Sequence, residues 1–352
     1  MLLFWRIRVR RSLTDMDDSS LFDANQKVYD MVFKSTVDFF CLKGALDLNL
    51  FEALASEPLS IEDLAKATKS VPLRLNKFLM SLDQIGLVEQ KDGKWGLTPF
   101  SVQFFTAPEQ HRNLTFVPFM DYLGKMIEPY YLRMADVVRG ERNFTSFTPY
   151  PPRTREDSDF YETLHRSNTF YPTKLLVERG NLKGVKHLVD MGGGIGDIAI
   201  ALCRANPDLT VTLINLPSAI DLVKENVADK GFSDRITPVA IDMYREPLPK
   251  CDAVLISRIL YPFGEQFSRM LCQKAYDTLE PDGRLLLLDM NISDDHSPNY
   301  DYLTHYLSSV GTDFVQMEFK HHNTYSKIMG EIGFKDIKFD DAWDNILFQA
   351  VK

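Results

Sequence analysis

Four glycines fill five positions in Gly192-Gly193-Gly194-Ile195-Gly196, directly after the apolar run His187-Leu188-Val189-Asp190-Met191. With no Cβ in the way, such a loop lets backbone approach a ligand closely. A helix beginning near Ile195 would add N–H groups that favour a carboxylate or phosphate. Asp190, Asn215, Asp242 and Arg258 close successive apolar runs, and in an open α/β sheet ligands bind at those strand ends. Asp242-Met243 pairs a polar clamp with an apolar face, which suits an adenine. A glycine loop alone is weak evidence and could also serve a nicotinamide dinucleotide. Two details argue against that. The loop lacks the six-residue GxGxxG spacing, and Asn215 stands where a dinucleotide enzyme typically carries an acid for the ribose.

These groups need a frame. From residue 184 apolar runs alternate with helical segments. Strands are expected at 187–191, 211–215, 236–241, 253–257 and 284–289. Helices are expected at 197–206, near 219–230 and near 266–279. This pattern predicts a doubly wound parallel sheet with helices on both faces. The stretch Asp157–Glu178 reads as helix, rich in aromatics, and carries His165, Arg166 and Asn168. It fits either a wall for a flat apolar ligand or an ordinary packing helix. Pro149-Tyr150-Pro151-Pro152 marks a rigid extended loop. His187 reads as structural and His321-His322 as a solvated turn.

The first half is helical. Apolar residues from Val28 to Leu50 recur at helical spacing. Ser60, with Asp63 three residues on, resembles an N-cap with an acidic first turn. Pro72 opens a second helix whose apolar face is Leu75, Phe78, Leu79, Leu82 and Ile85. Gly86 ends it, and Leu87–Glu89 and Lys94–Thr98 flank a Lys91-Asp92-Gly93 turn. Helix, helix, hairpin is a winged-helix order. Lys69, Arg74 and Lys77 sit among Glu62, Asp63 and Asp83, so a protein–protein role is favoured over DNA binding.

The balance of 40 Lys and Arg against 49 Asp and Glu gives a net charge of −9 over 352 residues. That argues against a general nucleic-acid binder. The four cysteines have no metal-finger spacing and read as reduced thiols of a cytoplasmic protein. No apolar run reaches the roughly 18 residues of a membrane span. MLLFWRIRVRR places its apolar residues before Arg6, Arg8, Arg10 and Arg11, the reverse of a signal peptide. Residues 1–20 are expected to be an extension outside the fold, with a weak membrane-surface anchor as the other reading.

Val189–Gly196 resembles motif I of S-adenosylmethionine-dependent methyltransferases. With Asn215-Leu216-Pro217, Asp242-Met243 and Leu279-Glu280-Pro281-Asp282-Gly283-Arg284, residues 22–352 resemble the small-molecule methyltransferases that carry an N-terminal winged-helix dimerisation domain. Within that family, Thr154–Asp157, His165–Asn168, Arg258–Tyr261 and Asp301–Tyr306, together with the Pro149–Pro152 loop, resemble the enzymes that methylate the C-20 meso carbon of a bacteriochlorophyllide. The resemblance implies a class I, Rossmann-like α/β domain with a mixed, mostly parallel seven-stranded sheet over 181–352. It implies a winged-helix dimerisation domain over 21–110 and a helical linker and pocket wall over 111–180. It also implies a homodimer through the first domain, with Leu46, Leu50 and Phe51 as contact candidates that would be core in a monomer.

On that resemblance, Gly192, Gly193 and Gly194 hold the methionine part of the cofactor, and Asn215 and Leu216 meet the ribose. Asp242 bonds the adenine amino group, Met243 packs on its ring, and Asp190 and Arg258 complete the cofactor site. His305 is assigned as axial ligand to the magnesium of the tetrapyrrole substrate, and Tyr261 as the group that positions the macrocycle. No protein metal site is expected. O-methyltransferases of this type usually carry His-Asp-Trp where this chain has Tyr261-Pro262-Phe263. A tyrosine with a pKa near ~10 is a poor base at neutral pH, which favours a carbon nucleophile. The rival readings are a carotenoid or phenol O-methyltransferase using His165 or His305 as base, a non-catalytic winged-helix regulator that binds the cofactor, and a nicotinamide-dependent oxidoreductase.

Overall fold

Ser60, Pro72 and Gly86 punctuate the first half as their chemistry requires. A computed structural model describes residues 18–106, 116–143, 151–166, 169–291, 307, 310–311 and 320–352. The chain divides into two units, Met1–Arg112 and Asn113–Lys352. In the first, α1 (Asp18–Tyr29) runs through a π-helical turn into α2 (Ser35–Asp47). The Ser60 Oγ accepts the Asp63 N–H and caps α3 (Ile61–Ala67). Pro72 opens α4 (Pro72–Gln84), which buries Leu75, Leu79 and Leu82.

The hairpin β1 (Val88–Lys91) and β2 (Lys94–Leu97) turns through Asp92 and Gly93. Both have positive φ, as a two-residue type I′ turn demands. A further helix, α5 (Pro99–Phe105), follows. Phe51 stacks on Phe105 at 3.6 Å between centroids, and Leu50 and Phe51 are fully buried. Both are therefore core of this unit and not contact residues, while Leu46 is half-buried. Exposed apolar side chains lie earlier: Val28, Met31, Val32, Phe33, Val37 and Phe40.

The second unit opens with α6 (Phe116–Met126), α7 (Arg155–Arg166) and α8 (Phe170–Arg179). The sheet follows. Its strands are β3 (His187–Met191), β4 (Thr210–Asn215), β5 (Ile236–Ala240), β6 (Cys251–Ser257), β7 (Leu279–Met290), β8 (Lys335–Ala342) and β9 (Asn345–Val351). Their order is β5-β4-β3-β6-β7-β9-β8. The first five are parallel, and β9 pairs antiparallel with both β7 and β8. The strands β3, β6 and β7 are buried on both faces, as expected of a covered parallel sheet.

Helices α9 (Asp197–Ala205), α10 (Ile220–Asp229), α11 (Glu265–Thr278) and α12 (His322–Ile332) complete the unit. Leu188, Leu213, Leu255 and Leu286 face one apolar layer, shared with α8 and α9. Val189, Val254 and Leu287 face the other, shared with α11 and α12. The alternation of side chains along each strand divides them in this way. Among the described residues, no helix is long and apolar enough to cross a membrane. Residues 1–17, 149–150, 167–168 and 301–306, the last including His305, lie outside the described residues.

Candidate active site

The sheet delivers its polar groups to one edge, at the carboxyl ends of β3, β4 and β6. Leaving β3, the chain turns through Gly192, Gly194 and Gly196, all at positive φ. The N–H groups of Gly192 and Gly193 both donate to Ile214 O of β4, at 3.0 and 3.2 Å. They are spent on fixing the loop. A Cβ on Gly193 would stand 2.5 Å from Asp190 Oδ2, and one on Gly192 would stand 2.7 Å from Ile259 Cδ1 and 3.8 Å from Met243 Cε. Ile259 and Met243 therefore roof the glycine loop with apolar atoms. Met243 was legible beforehand; Ile259 was not.

Asp190 is buried behind this loop. Burial pushes its carboxyl up to about 7, because removal from water disfavours the charged form. Its Oδ2 and the Oγ of Ser257, at the end of β6, are buried atoms with no hydrogen-bond partner among the described residues. Orphaned polar atoms beside a glycine-lined cradle fit a bound cofactor. Asp242 is held by its own turn: Oδ1 accepts the Tyr244 N–H at 3.0 Å and Oδ2 stands 3.6 Å from Arg245. Leu216, after β4, is half-buried.

Asn215 is more committed than its sequence position implied. Its Oδ1 accepts the Leu216 N–H at 2.7 Å. Its Nδ2 donates to Gly194 O and to Glu162 Oε1, both at 2.9 Å. Glu162 belongs to α7, and nothing in its local sequence singled it out. The helix spacing in hindsight does. Arg155, Ser158, Glu162 and Arg166 recur at three- and four-residue steps on one face. Arg155 pairs with Glu225, Ser158 Oγ donates to Ser218 Oγ at 2.9 Å, and Arg166 Nε donates to Asp197 at 2.7 Å. Each turn of α7 is thus tied to the sheet domain.

The aromatic side of α7 turns elsewhere. Phe160 meets Tyr122 of α6 edge-on at 6.2 Å, and Tyr161 and His165 lie 6.0 Å apart. His165 is exposed. Burial pushes the Tyr122 hydroxyl well above its ordinary range. The neighbouring Tyr130 hydroxyl donates to Leu307 O and accepts the Gly311 N–H, at 3.0 and 3.1 Å.

After β6, Arg258 takes a left-handed backbone, φ 56°, a strained choice for a side-chain-bearing residue. Its guanidinium donates to Asn345 Oδ1 at 3.1 Å and lies 5.9 Å from the Tyr261 ring. Buried Lys320 donates to Leu260 O at 2.9 Å and to Phe263 O at 2.5 Å. Tyr261 stands between those two carbonyls. Lys320 too was not legible beforehand. His187 bonds Thr212 Oγ1 at 2.8 Å at the opposite end of β3, a structural role. His321 caps α12, and His322 packs on Phe339 at 4.8 Å.

Residues 138–335 match the O-methyltransferase domain family. The chain belongs to that family. It is 42% identical over 337 residues to bacteriochlorophyllide d C-20 methyltransferase of Chlorobaculum tepidum, a match covering 96% of this chain and 100% of the relative. It is 26% identical over 265 residues to L-tyrosine C(3)-methyltransferase of Streptomyces lavendulae, with 73% of this chain and 72% of the relative covered. The structure of human N-acetylserotonin methyltransferase in complex with S-adenosylmethionine superposes with a TM-score of 0.76 at 20% identity, over 96% of this chain and 99% of that one. The fold is therefore that of the Rossmann-like members of the family. This O-methyltransferase-domain protein is an enzyme, a methyltransferase, and its cofactor is S-adenosylmethionine.

Proposed function

We propose that the chain methylates the C-20 meso carbon of a bacteriochlorophyllide, in the making of bacteriochlorophyll c. The observation that carries this is the 42% identity to the Chlorobaculum tepidum relative along nearly the whole chain. Tyr261-Pro262-Phe263 after β6 supports it, because carbon methylation draws electrons from the conjugated ring and needs no base to unmask a hydroxyl; the C–S bond of the sulfonium breaks as the new C–C bond forms, and the C-20 proton is lost afterwards to restore the ring's conjugation.

S-adenosylmethionine, when bound, supplies an electrophilic methyl group on a sulfonium. The chain then has mainly to align substrate carbon and methyl in line, an orientation effect worth several orders of magnitude. The glycine loop, Ile259 and Met243 bound the cofactor's space, and Asp242 bonds its adenine. Tyr261, held by Lys320 and Arg258, hydrogen-bonds a polar substituent of the macrocycle. Tyr122, Phe160 and Tyr161 offer a flat apolar wall. His305 is the proposed axial ligand to the pigment's magnesium.

The test is turnover with S-adenosylmethionine and the zinc or magnesium form of bacteriochlorophyllide d, followed by mass and absorption. The expected result is a gain of one methylene with a red-shifted Q band. Intact cofactor binding without that gain, alongside turnover of a hydroxylated carotenoid or phenol, would overturn the substrate. His305→Ala is expected to weaken pigment binding and leave cofactor binding unchanged.

The first unit is proposed as a winged-helix dimerisation domain, acting in a cytoplasmic homodimer. Support comes from the exposed apolar row Val28, Met31, Val32, Phe33, Val37 and Phe40, because contiguous exposed apolar surface is costly unless covered. Sedimentation equilibrium is expected to give twice the chain mass, and a single-chain species at micromolar concentration would refute the dimer.

A further inference from the structure

We propose that Glu162 is the ribose-binding acid of this enzyme, delivered by α7 to the place where the end of β4 carries only an amide. The inference rests on S-adenosylmethionine being the cofactor, and not on which substrate is methylated.

In doubly wound folds that bind an adenosine, an acid near the end of the second strand takes the ribose hydroxyls. A carboxylate suits that task because it accepts from both neighbouring hydroxyls, and a charged acceptor makes the stronger bond. Here that strand ends in Asn215. Both of its donor hydrogens go into the protein, from Nδ2 to Gly194 O and Glu162 Oε1, and Oδ1 already accepts the Leu216 N–H. Asn215 can neither supply the charge nor turn toward a ligand without breaking three bonds.

Glu162 completes the arrangement. Oε1 is occupied by Asn215, and Oε2 is the nearest atom to a Cβ built on Gly194, at 3.2 Å. The carboxylate therefore lies over the glycine loop beside the β4 terminus, in the crevice where an adenosine must sit. Asn215 orients it, much as a fixed partner orients a ligand group in any pre-organised site. Burial and nearby Asp197 hold the Glu162 carboxyl above its ordinary range. Asp197 is itself neutralised by Arg166 one turn further along α7, so one helix carries both the acid and the cation that tempers its surroundings.

The experiment is isothermal titration of the full chain with three probes: S-adenosylhomocysteine, 5′-deoxy-5′-methylthioadenosine, and the 2′-deoxy form of the latter. Wild type is expected to prefer the ribose over the deoxyribose probe by about tenfold or more, the scale of one hydrogen bond to a charged acceptor. Glu162→Gln is expected to lose most of that preference. It should also weaken S-adenosylhomocysteine and methylthioadenosine by the same factor, because the second lacks the amino acid but keeps the ribose. The double variant Glu162→Gln with Asn215→Asp, which returns the acid to the sheet, is expected to restore the preference. Three results would overturn the proposal. One is equal weakening of ribose and deoxyribose probes, which marks Glu162 as a brace only. The second is weakening of S-adenosylhomocysteine but not methylthioadenosine, which places it on the methionine amine. The third is no change. Should the glutamine variant fail to fold, Glu162→Asp shortens the side chain and keeps its charge, and an undiminished ribose preference there would refute the role equally.

Discussion

The loop after β3 and the loop after β6 lie at the same edge of the same sheet, yet they are fixed by different means. The first is held from close by in space by backbone: Gly192 and Gly193 donate to Ile214 O of the adjacent strand, and the missing Cβ atoms let Asp190, Ile259 and Leu213 close on it. The second is held from afar by side chains. Lys320 reaches Leu260 and Phe263 across 60 and 57 residues of chain, and Arg258 is tied to Asn345 across 87. The first loop borders the proposed cofactor site, where close approach of backbone needs glycine. The second carries Tyr261, proposed to meet the substrate, and its anchors are side chains far away in sequence.

Four substitutions sharpen or break this contrast. The largest effect is expected at Asp190. Its folded carboxyl titrates near 7, against an unfolded value near ~3.9. The folded state then holds a proton between those values that the unfolded state has released, so this residue makes stability fall as pH rises from about 4 to 7. Asp190→Asn should remove that slope and stabilise the apo protein at pH 8 by up to ~4 kcal/mol, at about 1.4 kcal/mol per pKa unit. Urea titrations at pH 5 and 8 check this, and an unchanged slope would show the carboxyl to be charged when folded.

Gly193→Ala comes next. Its methyl would overlap Asp190 and Leu213. Overpacking of this kind costs about 3 kcal/mol, and loss of S-adenosylhomocysteine binding by calorimetry should accompany it. Lys320→Met removes the ammonium that bonds Leu260 O and Phe263 O, and leaves Leu260 O with only the Phe263 N–H. The expected cost is about 2 kcal/mol in stability, with kcat down about ten- to hundredfold and cofactor affinity nearly unchanged. If cofactor affinity fell as far as kcat, the two loops would not be held independently. Arg155→Ala should be smallest. Its pair with Glu225 is solvent-exposed, such pairs contribute little, and the melting midpoint should stay within error.

What could be read from the sequence follows the same divide. The glycine loop, the parallel strands, the Ser60 cap and the Asp92-Gly93 turn are local patterns, and each appears where its residues predict. Glu162 and Lys320 escaped because their partners lie 53 to 60 residues away, beyond any periodicity. Leu50 and Phe51 sit on an apolar stripe, but a stripe does not reveal whether its cover is another helix of the same chain or a second copy. Phe105 provides that cover. The strand β8 is hard to read because it lies at the sheet edge, mostly exposed, with Asp336, Asp340 and Asp341 among its eight residues. Asn215 was placed at the correct strand end, but an amide's type does not tell whether its hydrogen bonds face a ligand or the protein.

The four ties along α7 have a consequence for changing what this enzyme accepts. The same helix presents Phe160 and Tyr161 on one side and Glu162 on the other, so with the roles proposed for them it is a single rigid ruler for two ligands at once. Any redesign that shifts the ruler to admit a bulkier ring also moves its mark against the sheet. Variation of the pocket is therefore channelled into side-chain exchange on the aromatic face, with the backbone of α7 left where it lies.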